Sequence, residues 1–222
     1  MSDPISQIET IEELQAVASV CTNCRLSETR NTVVFASGSP DAQVMVVGEA
    51  PGQQEDEQGE PFVGRSGQLL MQILAEQGIA REDVYIANVV KCRPPHNRDP
   101  RPDEIDACKP YLRRQIQLVD PKVVVTVGNF SSKLLLGTTV GVTRIRGLAY
   151  KWWGRYLVPT FHPAAALRGG VGVSDAIRSD IAIVRTLLNG RLAEQPESGQ
   201  TDAATSNHVD PPDEQLGLFG AP

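Results

Sequence analysis

Short apolar runs alternate with longer amphipathic segments along the first 190 residues. Four runs rich in β-branched residues predict strands over residues 43–47, 84–90, 122–127 and 156–160. Continuous apolar runs of this length are typical of strands that are buried on both faces. Apolar side chains at helical spacing predict helices over residues 67–77, 103–118, 129–136 and 173–188, with Asp103 as the N-cap of the second helix. Alternating strands and helices predict a parallel sheet covered by helices on both sides.

Length and composition limit the architecture to one domain or at most two. The chain has 222 residues, 41% of them hydrophobic, which allows one substantial core. Its apolar runs are shorter than the ~18–20 residues that cross a membrane, so we expect no membrane span. Residues 191–222 contain few large apolar side chains and many Pro, Ser, Asp and Glu residues. We therefore predict a folded domain over residues 1–190 and a disordered acidic tail over residues 191–222.

The net charge of −6 hides an uneven distribution. Residues 1–20 and 191–222 together carry ten acids and one base, which leaves 20 basic and 17 acidic side chains for residues 21–190. Residues 91–114 have seven bases against four acids, and residues 143–155 have four bases and no acid, interleaved with one tyrosine and two tryptophans. Basic side chains beside aromatic ones are typical of nucleic-acid surfaces, although a solvated charged face has the same composition.

The four cysteines form two pairs, Cys21 with Cys24 and Cys92 with Cys108, and the second pair brackets a loop rich in arginine and proline. The Cys-x2-Cys spacing is common among metal ligands, and four thiolates fill a four-coordinate site. Two disulfides or four unrelated core thiols are the alternatives. The chain opens without a charged and apolar signal segment, so we expect a reducing, cytoplasmic setting in which disulfides are rare. Thiolate ligands alone do not separate zinc from an iron–sulfur cluster.

Polar and aromatic residues collect in the loops that follow the predicted strands. The first strand leads into Gly48-Glu49-Ala50-Pro51-Gly52 and then Pro61-Phe62-Val63-Gly64, the second ends at Asn88, and the fourth ends at Phe161-His162-Pro163. In parallel sheets the reacting groups lie in loops beyond the carboxyl ends of the strands. The convergence of Glu49, Phe62, Asn88 and His162 from three strand ends therefore predicts an active site.

These motifs, together with Asn88-Val89-Val90-Lys91-Cys92-Arg93-Pro94-Pro95, resemble the family 4, iron–sulfur uracil-DNA glycosylases of bacteria and archaea. The likeness extends over about residues 20 to 188 and includes all four cysteines in order. It implies a three-layer α/β/α fold with a four-stranded parallel sheet, a [4Fe–4S] cluster held by the four cysteines, and excision of uracil from DNA. We accordingly expect a nucleoid-associated DNA-repair enzyme that acts as a monomer.

The resemblance also implies roles for residues of the predicted site, and their chemistry suits those roles. A uracil flipped out of DNA would stack on Phe62, with Ala50 in the same pocket, and would pair through O4 and N3–H with the amide of Asn88. A neutral His162 would donate a hydrogen bond to O2 and stabilise the departing base as an anion.

A carboxylate of the first loop would complete the reaction. Either Glu49 or Glu55 would stabilise the positive charge on the sugar and activate water, and the sequence does not choose between them. Family 1 enzymes have Asp and Tyr in the corresponding motif, where this chain has Glu49 and Ala50. The water-activating group and the means of excluding thymine are therefore open.

The expected DNA contacts surround this site. We expect the cluster to be a rigid scaffold that holds Arg93, Arg98 and Arg101 at the spacing of phosphates. Arg168 is a candidate phosphate contact, and Leu167 is a candidate wedge for the gap that the flipped base leaves. Both positions also suit an ordinary helix surface.

Three other functions are compatible with parts of the sequence. A related enzyme becomes covalently attached to the abasic product through a histidine, and His96 lies in the equivalent loop, but that relative's basic insertion is missing here. A non-enzymatic zinc or iron–sulfur nucleic-acid-binding module would need no pocket. A small redox protein would have no use for Phe62, Asn88 and His162.

The tail ends in an apolar cluster, Gln215-Leu216-Gly217-Leu218-Phe219, after a polar segment. This cluster resembles the Gln-Leu-x-Leu-Phe peptides with which bacterial replication and repair proteins bind the sliding clamp. We therefore expect Gln215, Leu216, Leu218 and Phe219 to bind that partner. A short hydrophobic ending without a partner is the alternative.

Overall fold

The computed structural model, which describes residues 4–169 and 171–190, places four β-branched runs at the centre of a six-stranded sheet. The strands are β1 (Ser37–Gly38), β2 (Val44–Gly48), β3 (Val84–Asn88), β4 (Val123–Val127), β5 (Tyr150–Trp152) and β6 (Arg155–Thr160), in the order β1-β3-β2-β4-β6-β5. The inner four are parallel, as predicted, and β1 and β5 add antiparallel edges. Edge strands of two and three residues are too short to give a periodic signal in the sequence.

Eight α-helices in the described ranges flank the sheet. They are α1 (Ile11–Ser19), α2 (Gln53–Gln58), α3 (Arg65–Glu76), α4 (Pro102–Val119), α5 (Asn129–Leu136), α6 (Val142–Ile145), α7 (Pro163–Gly169) and α8 (Val171–Leu188). Short 3-10 helices cover Pro4–Gln7, Arg25–Glu28, Arg81–Asp83 and Pro95–Asn97. The four predicted helices correspond to α3, α4, α5 and α8.

The start of α4 differs from the prediction that Asp103 is its N-cap. The helix begins one residue earlier, at Pro102, where proline fits because the first helical N–H has no partner within the helix. Glu104 in the first turn accepts a hydrogen bond from the Arg101 backbone N–H at 2.8 Å. Asp103 is therefore inside the helix, and Arg101 is the N-cap residue. The carboxylate of Glu104 accepts the hydrogen bond from the backbone N–H of this N-cap.

Successive side chains of the inner strands fill two cores on opposite faces of the sheet. Met45 and Val47 belong to the core that also contains buried residues of α1, α4 and α5. Val44 and Val46 belong to the core that contains buried residues of α3 and α8. This arrangement confirms the three-layer α/β/α fold.

The basic and aromatic stretch at residues 143–155 belongs largely to the framework, although its composition is also that of a nucleic-acid surface. Trp152 and Tyr150 are buried, and each donates a hydrogen bond to a main-chain carbonyl, at 3.0 and 2.9 Å. Arg146 forms a two-bond ion pair with the fully buried Asp180, at 2.7 and 2.9 Å. Arg146, Tyr150 and Trp152 therefore stabilise the domain, whereas Arg144 and Lys151 are exposed.

The same ion pair anchors the end of β6. Asp180 in α8 also accepts a hydrogen bond from Thr160 Oγ1 at 2.6 Å. Thr160 is the last residue of β6 and lies two residues before His162. A buried, fully bonded carboxylate thus fixes the strand end from which His162 projects.

No helix within residues 4–169 and 171–190 combines the length and the apolarity that a membrane span requires. The predicted acidic tail, with Gln215, Leu216, Leu218 and Phe219, lies outside the described residues.

Candidate functional site

The carboxyl ends of β2, β3 and β6 open onto one cavity of about 450 Å³. The parallel register causes this convergence, because Gly48 at the end of β2 lies beside Asn88 at the end of β3. The cavity wall contains eight residues that the sequence singled out: Glu49, Ala50, Glu55, Phe62, Asn88, Arg98, His162 and Arg168. Its remaining lining is Pro51, Gly52, Ser66, Pro94, Asn97, Asp99 and Ala164. A volume of this size suits a small organic ligand such as a single base.

Gly48 allows two side chains to meet at the end of β2. A Cβ atom on Gly48 would lie 2.3 Å from Asn88 Oδ1 and 2.9 Å from two carbons of the Phe62 ring. These distances are too short for any side chain, so this close approach requires glycine. Asn88 is 2% exposed, and hydrogen bonds to a buried amide form with little competition from water.

Phe62 adopts a backbone conformation that is rare for an L-residue, with φ of 58°. Gly67 in α3 makes it possible, because a Cβ atom there would lie 1.9 Å from the Phe62 carbonyl oxygen. The left-handed conformation costs about 1–2 kcal/mol, and such strain at a cavity is typical of a residue held in place for function. The Phe62 ring lies 6.2 Å from the His162 ring, centroid to centroid, at an interplanar angle of 24°.

The local chain fixes the tautomer of His162. The Ala164 backbone N–H donates a hydrogen bond to His162 Nδ1 at 3.1 Å, which assigns the ring proton to Nε2. Burial lowers the pKa of His162, the positive charge of Arg168 lowers it further, and Glu55 opposes both effects. The ring is therefore neutral at pH 7 and has Nε2–H as its donor.

Glu49 directly follows β2 and faces a second carboxyl group, that of Asp99. Burial, followed by the charge and the hydrogen bond of Asp99, raises the pKa of Glu49 to about 7. Neighbouring carboxyl groups disfavour double ionisation, so one of them holds a proton more tightly. Glu49 consequently exchanges a proton close to neutral pH, which suits a group that accepts a proton from water.

Glu55, the other candidate carboxylate, bonds to the protein itself. Its Oε1 accepts a hydrogen bond from the Gly64 backbone N–H at 3.0 Å, which ties α2 to the loop that carries Phe62. A Cβ atom on Gly52 would lie 2.7 Å from Glu55 Oε2, so the carboxylate also packs against the first loop. Glu55 thus shapes the cavity and adds negative charge to it.

Three of the side chains expected to contact DNA are exposed around the cavity. Leu167 is 45% exposed on α7, and Arg168 beside it is exposed and lines the cavity. Arg101 is exposed at the start of α4. These positions leave the three side chains accessible to a nucleic acid.

The other two predicted DNA contacts bond to groups of the protein itself. Arg98 forms a bidentate ion pair with the buried carboxylate of Glu104, at 2.6 and 2.8 Å. Arg93 donates Nε–H to Asn97 Oδ1 at 2.7 Å. Both guanidinium groups therefore help to hold the loop between Cys92 and Cys108.

All four cysteines line one small cavity between α1, α4 and the segment after β3, here named the cysteine cage. Cys21, Cys24, Cys92 and Cys108 are free thiols. In the part of the chain that the structure describes, no three His, Cys, Asp or Glu side chains have the arrangement that holds a single metal ion. Four thiols that line one shared cavity are a donor set that both zinc and an iron–sulfur cluster accept.

Two basic residues contribute hydrogen bonds to the cysteine cage. Arg30 Nη1–H donates to Cys92 Sγ at 3.4 Å and to the Cys21 carbonyl at 2.8 Å. The backbone N–H of Lys91 donates to Cys108 Sγ at 3.3 Å. Burial raises the pKa of the Cys108 thiol to about 12, and the positive charge of Lys91 opposes this rise. Cations and N–H groups thus favour thiolates that burial alone would disfavour.

Sequence reasoning missed three residues of these two sites. Asp99 is the one acid in residues 93–101, here named the cage loop, which are otherwise rich in arginine and proline, and that contrast was the available signal. Lys91 precedes Cys92 directly, which placed it near the cage but gave it no role. Arg30 lies in a loop whose sequence carries no pattern that would single it out.

Comparison with known proteins shows that the sequence is similar to one family of enzymes. Residues 35–178 match the model described as the uracil DNA glycosylase superfamily. A type-4 uracil-DNA glycosylase of Thermotoga maritima is 46% identical over 165 residues, covering 72% of this chain and 86% of that protein. One of Sulfurisphaera tokodaii is 44% identical over 169 residues, covering 72% and 77%. A DNA polymerase of Bacillus phage SP01 is 36% identical over 167 residues, covering 75% of this chain and 18% of the polymerase.

Proposed function

The chain belongs to the uracil-DNA glycosylase superfamily, and we infer that it is a type-4 uracil-DNA glycosylase of base excision repair. It hydrolyses the N-glycosidic bond of uracil in DNA and leaves an abasic site. The observation that carries this inference is the cavity of about 450 Å³ in which Phe62, Asn88 and His162 meet. An aromatic ring, an amide and a neutral imidazole offer a flipped base one stacking face and a specific set of hydrogen bonds.

We assign recognition of the base to Asn88 and Phe62, with Ala50 in the adjoining wall. The Asn88 amide has one donor and one acceptor, which match O4 and N3–H of uracil and mismatch the reversed pattern of cytosine. Its burial supports this assignment, because a mismatched base would leave buried polar groups unpaired. Phe62 supplies the stacking surface, and the strain in its backbone supports a role that the fold alone does not require.

We assign stabilisation of the leaving base to His162. Cleavage of the N-glycosidic bond leaves negative charge on uracil and positive charge on the sugar. A neutral imidazole with its proton on Nε2 donates a hydrogen bond to O2 as that charge develops. The proton remains on the ring, so His162 needs no partner that reprotonates it.

We assign water activation to Glu49 rather than Glu55. The pKa of Glu49, about 7, lies where a carboxylate accepts a proton from water most effectively at neutral pH. Glu55 already accepts the Gly64 N–H and is less available as a base. Its negative charge in the cavity wall nevertheless favours the sugar cation.

We propose that Cys21, Cys24, Cys92 and Cys108 hold a [4Fe–4S] cluster. The shared cavity of the cysteine cage and the hydrogen bonds from Arg30 and Lys91 support this ligand set. When bound, the cluster joins α1, α4 and the segment after β3, and so stabilises the cage loop. The reaction itself uses the side chains of the cavity.

We propose that DNA lies across the mouth of the cavity. The exposure of Arg101 and Arg168 supports contacts to phosphates, and the exposed Leu167 on α7 has the size of a wedge residue. The ion pair of Arg98 with Glu104 and the bond of Arg93 to Asn97 indicate that these two arginines act mainly by shaping the loop.

Release of uracil from a single-stranded oligonucleotide tests the proposed reaction. We expect free uracil and an alkali-labile abasic strand that runs as free DNA on a denaturing gel. A band of DNA crosslinked to protein would indicate the related enzyme that becomes attached to its product. His96 is exposed and is not among the residues of the cavity wall, which supports turnover without such a bond. DNA binding without base release would indicate a non-enzymatic module.

We propose that the last residues of the chain bind the sliding clamp. Leu216, Leu218 and Phe219 supply three apolar anchors, and Gln215 begins the peptide. The 24 residues from 191 to 214 would link this peptide to the catalytic domain and raise its effective concentration near DNA at the clamp. The similarity of this chain to one segment of a phage DNA polymerase supports a place for the activity at replicating DNA.

Truncation after Pro212 tests the clamp proposal. We expect the truncated protein to excise uracil from short oligonucleotides at the full rate and to lose its affinity for the clamp in a calorimetric titration. The double change Leu218→Ala and Phe219→Ala is the matched variant of full length. Equal clamp affinity of the wild type and the truncated protein would refute the proposal.

A further inference from the structure

Lys91 is a buried cation that the proposed reaction does not use. It is 2% exposed, whereas lysine is seldom buried unless its ammonium has partners. The Lys91 ammonium donates hydrogen bonds to the Asn88 backbone carbonyl at 2.7 Å and to Gln115 Oε1 at 2.5 Å. A charged side chain is therefore bonded to the main chain of the residue that reads the base.

Gln115 fixes the direction of the Lys91 ammonium. Its Nε2 donates hydrogen bonds to the Tyr85 hydroxyl at 3.0 Å and to the Phe35 carbonyl at 3.2 Å. Both acceptors belong to the buried core, and Gln115 itself is fully buried. Because the two amide hydrogens are bound there, the amide oxygen is oriented toward Lys91.

The main chain of Lys91 belongs to the cysteine cage. Its N–H donates to Cys108 Sγ at 3.3 Å, and its carbonyl accepts the Val34 N–H at 2.8 Å. Two cationic side chains, Arg30 and Lys91, are among the residues that line the cage. Buried thiolates need such counter-charge, because uncompensated charge inside a protein is strongly disfavoured.

Three residues connect the two sites as a continuation of the sheet. Val89 N–H donates to the Gly48 carbonyl at 3.0 Å, and Val90 N–H donates to the Glu49 carbonyl at 3.1 Å. The bond from Lys91 Nζ to the Asn88 carbonyl closes this segment on itself. A shift of the cage would therefore move Asn88 unless the segment broke its hydrogen bonds.

We propose that Lys91 is a positioning residue that couples the cysteine cage to recognition of the base. Its ammonium places positive charge beside the thiolates and holds the main chain of Asn88. The proposal rests on the proposed excision of uracil and adds a residue that acts through Asn88 without touching the substrate. Lys91 thus links the cysteine cage, which takes no part in the proposed reaction, to the position of Asn88 in the cavity.

The test compares Lys91→Met with Lys122→Met. Methionine keeps an unbranched side chain of nearly the same length and removes the ammonium. Lys122 is the matched control, because its Nζ also donates to a main-chain carbonyl, that of Leu188 at 3.3 Å, whereas Lys122 lines neither the cage nor the cavity. Iron per chain and the single-turnover rate of uracil release are measured for each full-length protein, the rate on the iron-loaded fraction.

We expect Lys91→Met to retain less than about half of the wild-type iron and to excise uracil about tenfold more slowly when loaded. Lys122→Met should match the wild type in both. Adding Lys91→Met to Asn88→Ala should change the rate by less than about twofold, because the loss acts through Asn88. An equal tenfold loss in the Asn88→Ala background, or wild-type iron and rate in Lys91→Met, would overturn the proposal.

Two further results keep the test decisive. If Lys91→Met does not fold, Gln115→Met removes the acceptor that orients the ammonium, and we expect a smaller loss of about threefold in the rate, again absent in the Asn88→Ala background. An unchanged rate would overturn the proposal. A wild-type protein that releases no uracil would refute the proposed function instead, and the iron measurement would still decide whether Lys91 supports the cage.

Discussion

Replacing Asp99 with asparagine should move the acidic limb of the pH–rate profile to lower pH. As the proposed base, Glu49 accepts a proton from water only when it is deprotonated, and Asp99 is one cause of its raised pKa, after burial. Asparagine keeps the size of the side chain and removes its charge. The other charged or titratable groups of the cavity wall stay in place: Glu55, Arg98, His162 and Arg168.

The expected shift follows from the causes of the pKa. The pKa of Glu49 is about 7 against an ordinary value of 4.5, and burial, the largest cause, persists in Asp99→Asn. Asp99 is exposed, so water screens its charge, and we expect its removal to lower the pKa by about one unit. At pH 5.5 the deprotonated fraction of Glu49 would rise from about 3% to about 24%, and the excision rate by about eightfold.

The sign of the effect on stability is opposite to that of a salt-bridged carboxylate. Between about pH 4.5 and 7, folded Glu49 binds more protons than unfolded Glu49, so its contribution to stability falls as the pH rises through this window. Asp99→Asn lowers the folded pKa and narrows the window. The variant should therefore lose less stability than the wild type between pH 5 and pH 7.

Single-turnover excision from a uracil-containing oligonucleotide, measured from pH 5 to pH 9, checks the prediction. Above about pH 8 the two proteins should react at similar rates, because Glu49 is ionised in both. Asp106→Asn is the control, since this substitution removes the same charge as Asp99→Asn. Asp106 is an exposed acid of α4 that pairs with Lys109. An acidic limb that stays in place in Asp99→Asn, or that moves equally in Asp106→Asn, would refute the reasoning.

Four further changes probe the cavity, the cysteine cage and the framework. His162→Ala should slow single-turnover excision about 10²–10³-fold while DNA affinity, measured by fluorescence anisotropy, stays the same; a near-normal rate would remove its role. Gly48→Ala should displace the amide of Asn88, because a Cβ atom at this position would lie 2.3 Å from Asn88 Oδ1. We expect the rate of excision to fall at least about tenfold, and a wild-type rate would show that the end of β2 has room for a side chain. Cys108→Ala should lose iron and lower the melting temperature, whereas full iron content would contradict its assignment as a ligand. Asp180→Ala should lower the free energy of unfolding in urea by about 3 kcal/mol, because Arg146 would keep a partly buried charge without its partner, and a loss below about 1 kcal/mol would disprove that account.

The inner sheet could be predicted from sequence because each strand is buried on both faces. Such strands are continuous apolar runs rich in β-branched residues, as in Val123–Val127. The edge strand Ser37–Gly38 has no such signal, since its place depends on hydrogen bonds to β3 rather than on its own side chains. The start of α4 was misplaced because Asp103 and Glu104 both suit a helix start, and only the fold brings Glu104 to the Arg101 N–H.

The candidate site could be predicted as far as parallel strands bring their ends together. Asn88 and the residues after Gly48 had to be neighbours once β2 and β3 were adjacent and parallel. Asp99 and Lys91 were missed because their partners, Glu49 and Gln115, are distant in sequence and are joined to them only by the path of the cage loop and the packing of α4. Polar contacts between residues that are distant in sequence produce no periodic pattern, so such pairs are identified only from the three-dimensional structure.

The segment from Cys92 to Cys108, which contains the cage loop and the start of α4, lines both the cysteine cage and the cavity at the strand ends. It starts and ends at cage residues, and Pro94, Asn97, Arg98 and Asp99 within it line the cavity. The ion pair of Arg98 with Glu104 braces it onto α4, where Glu104 precedes Cys108 by one helical turn. The position of the carboxyl group that adjusts the pKa of Glu49 therefore depends on the same helix and the same cysteines that hold the cage. The proposed cluster would therefore affect the proposed reaction through geometry alone, because a displaced loop would change the distance between the carboxyl groups of Glu49 and Asp99 and hence the pKa of Glu49.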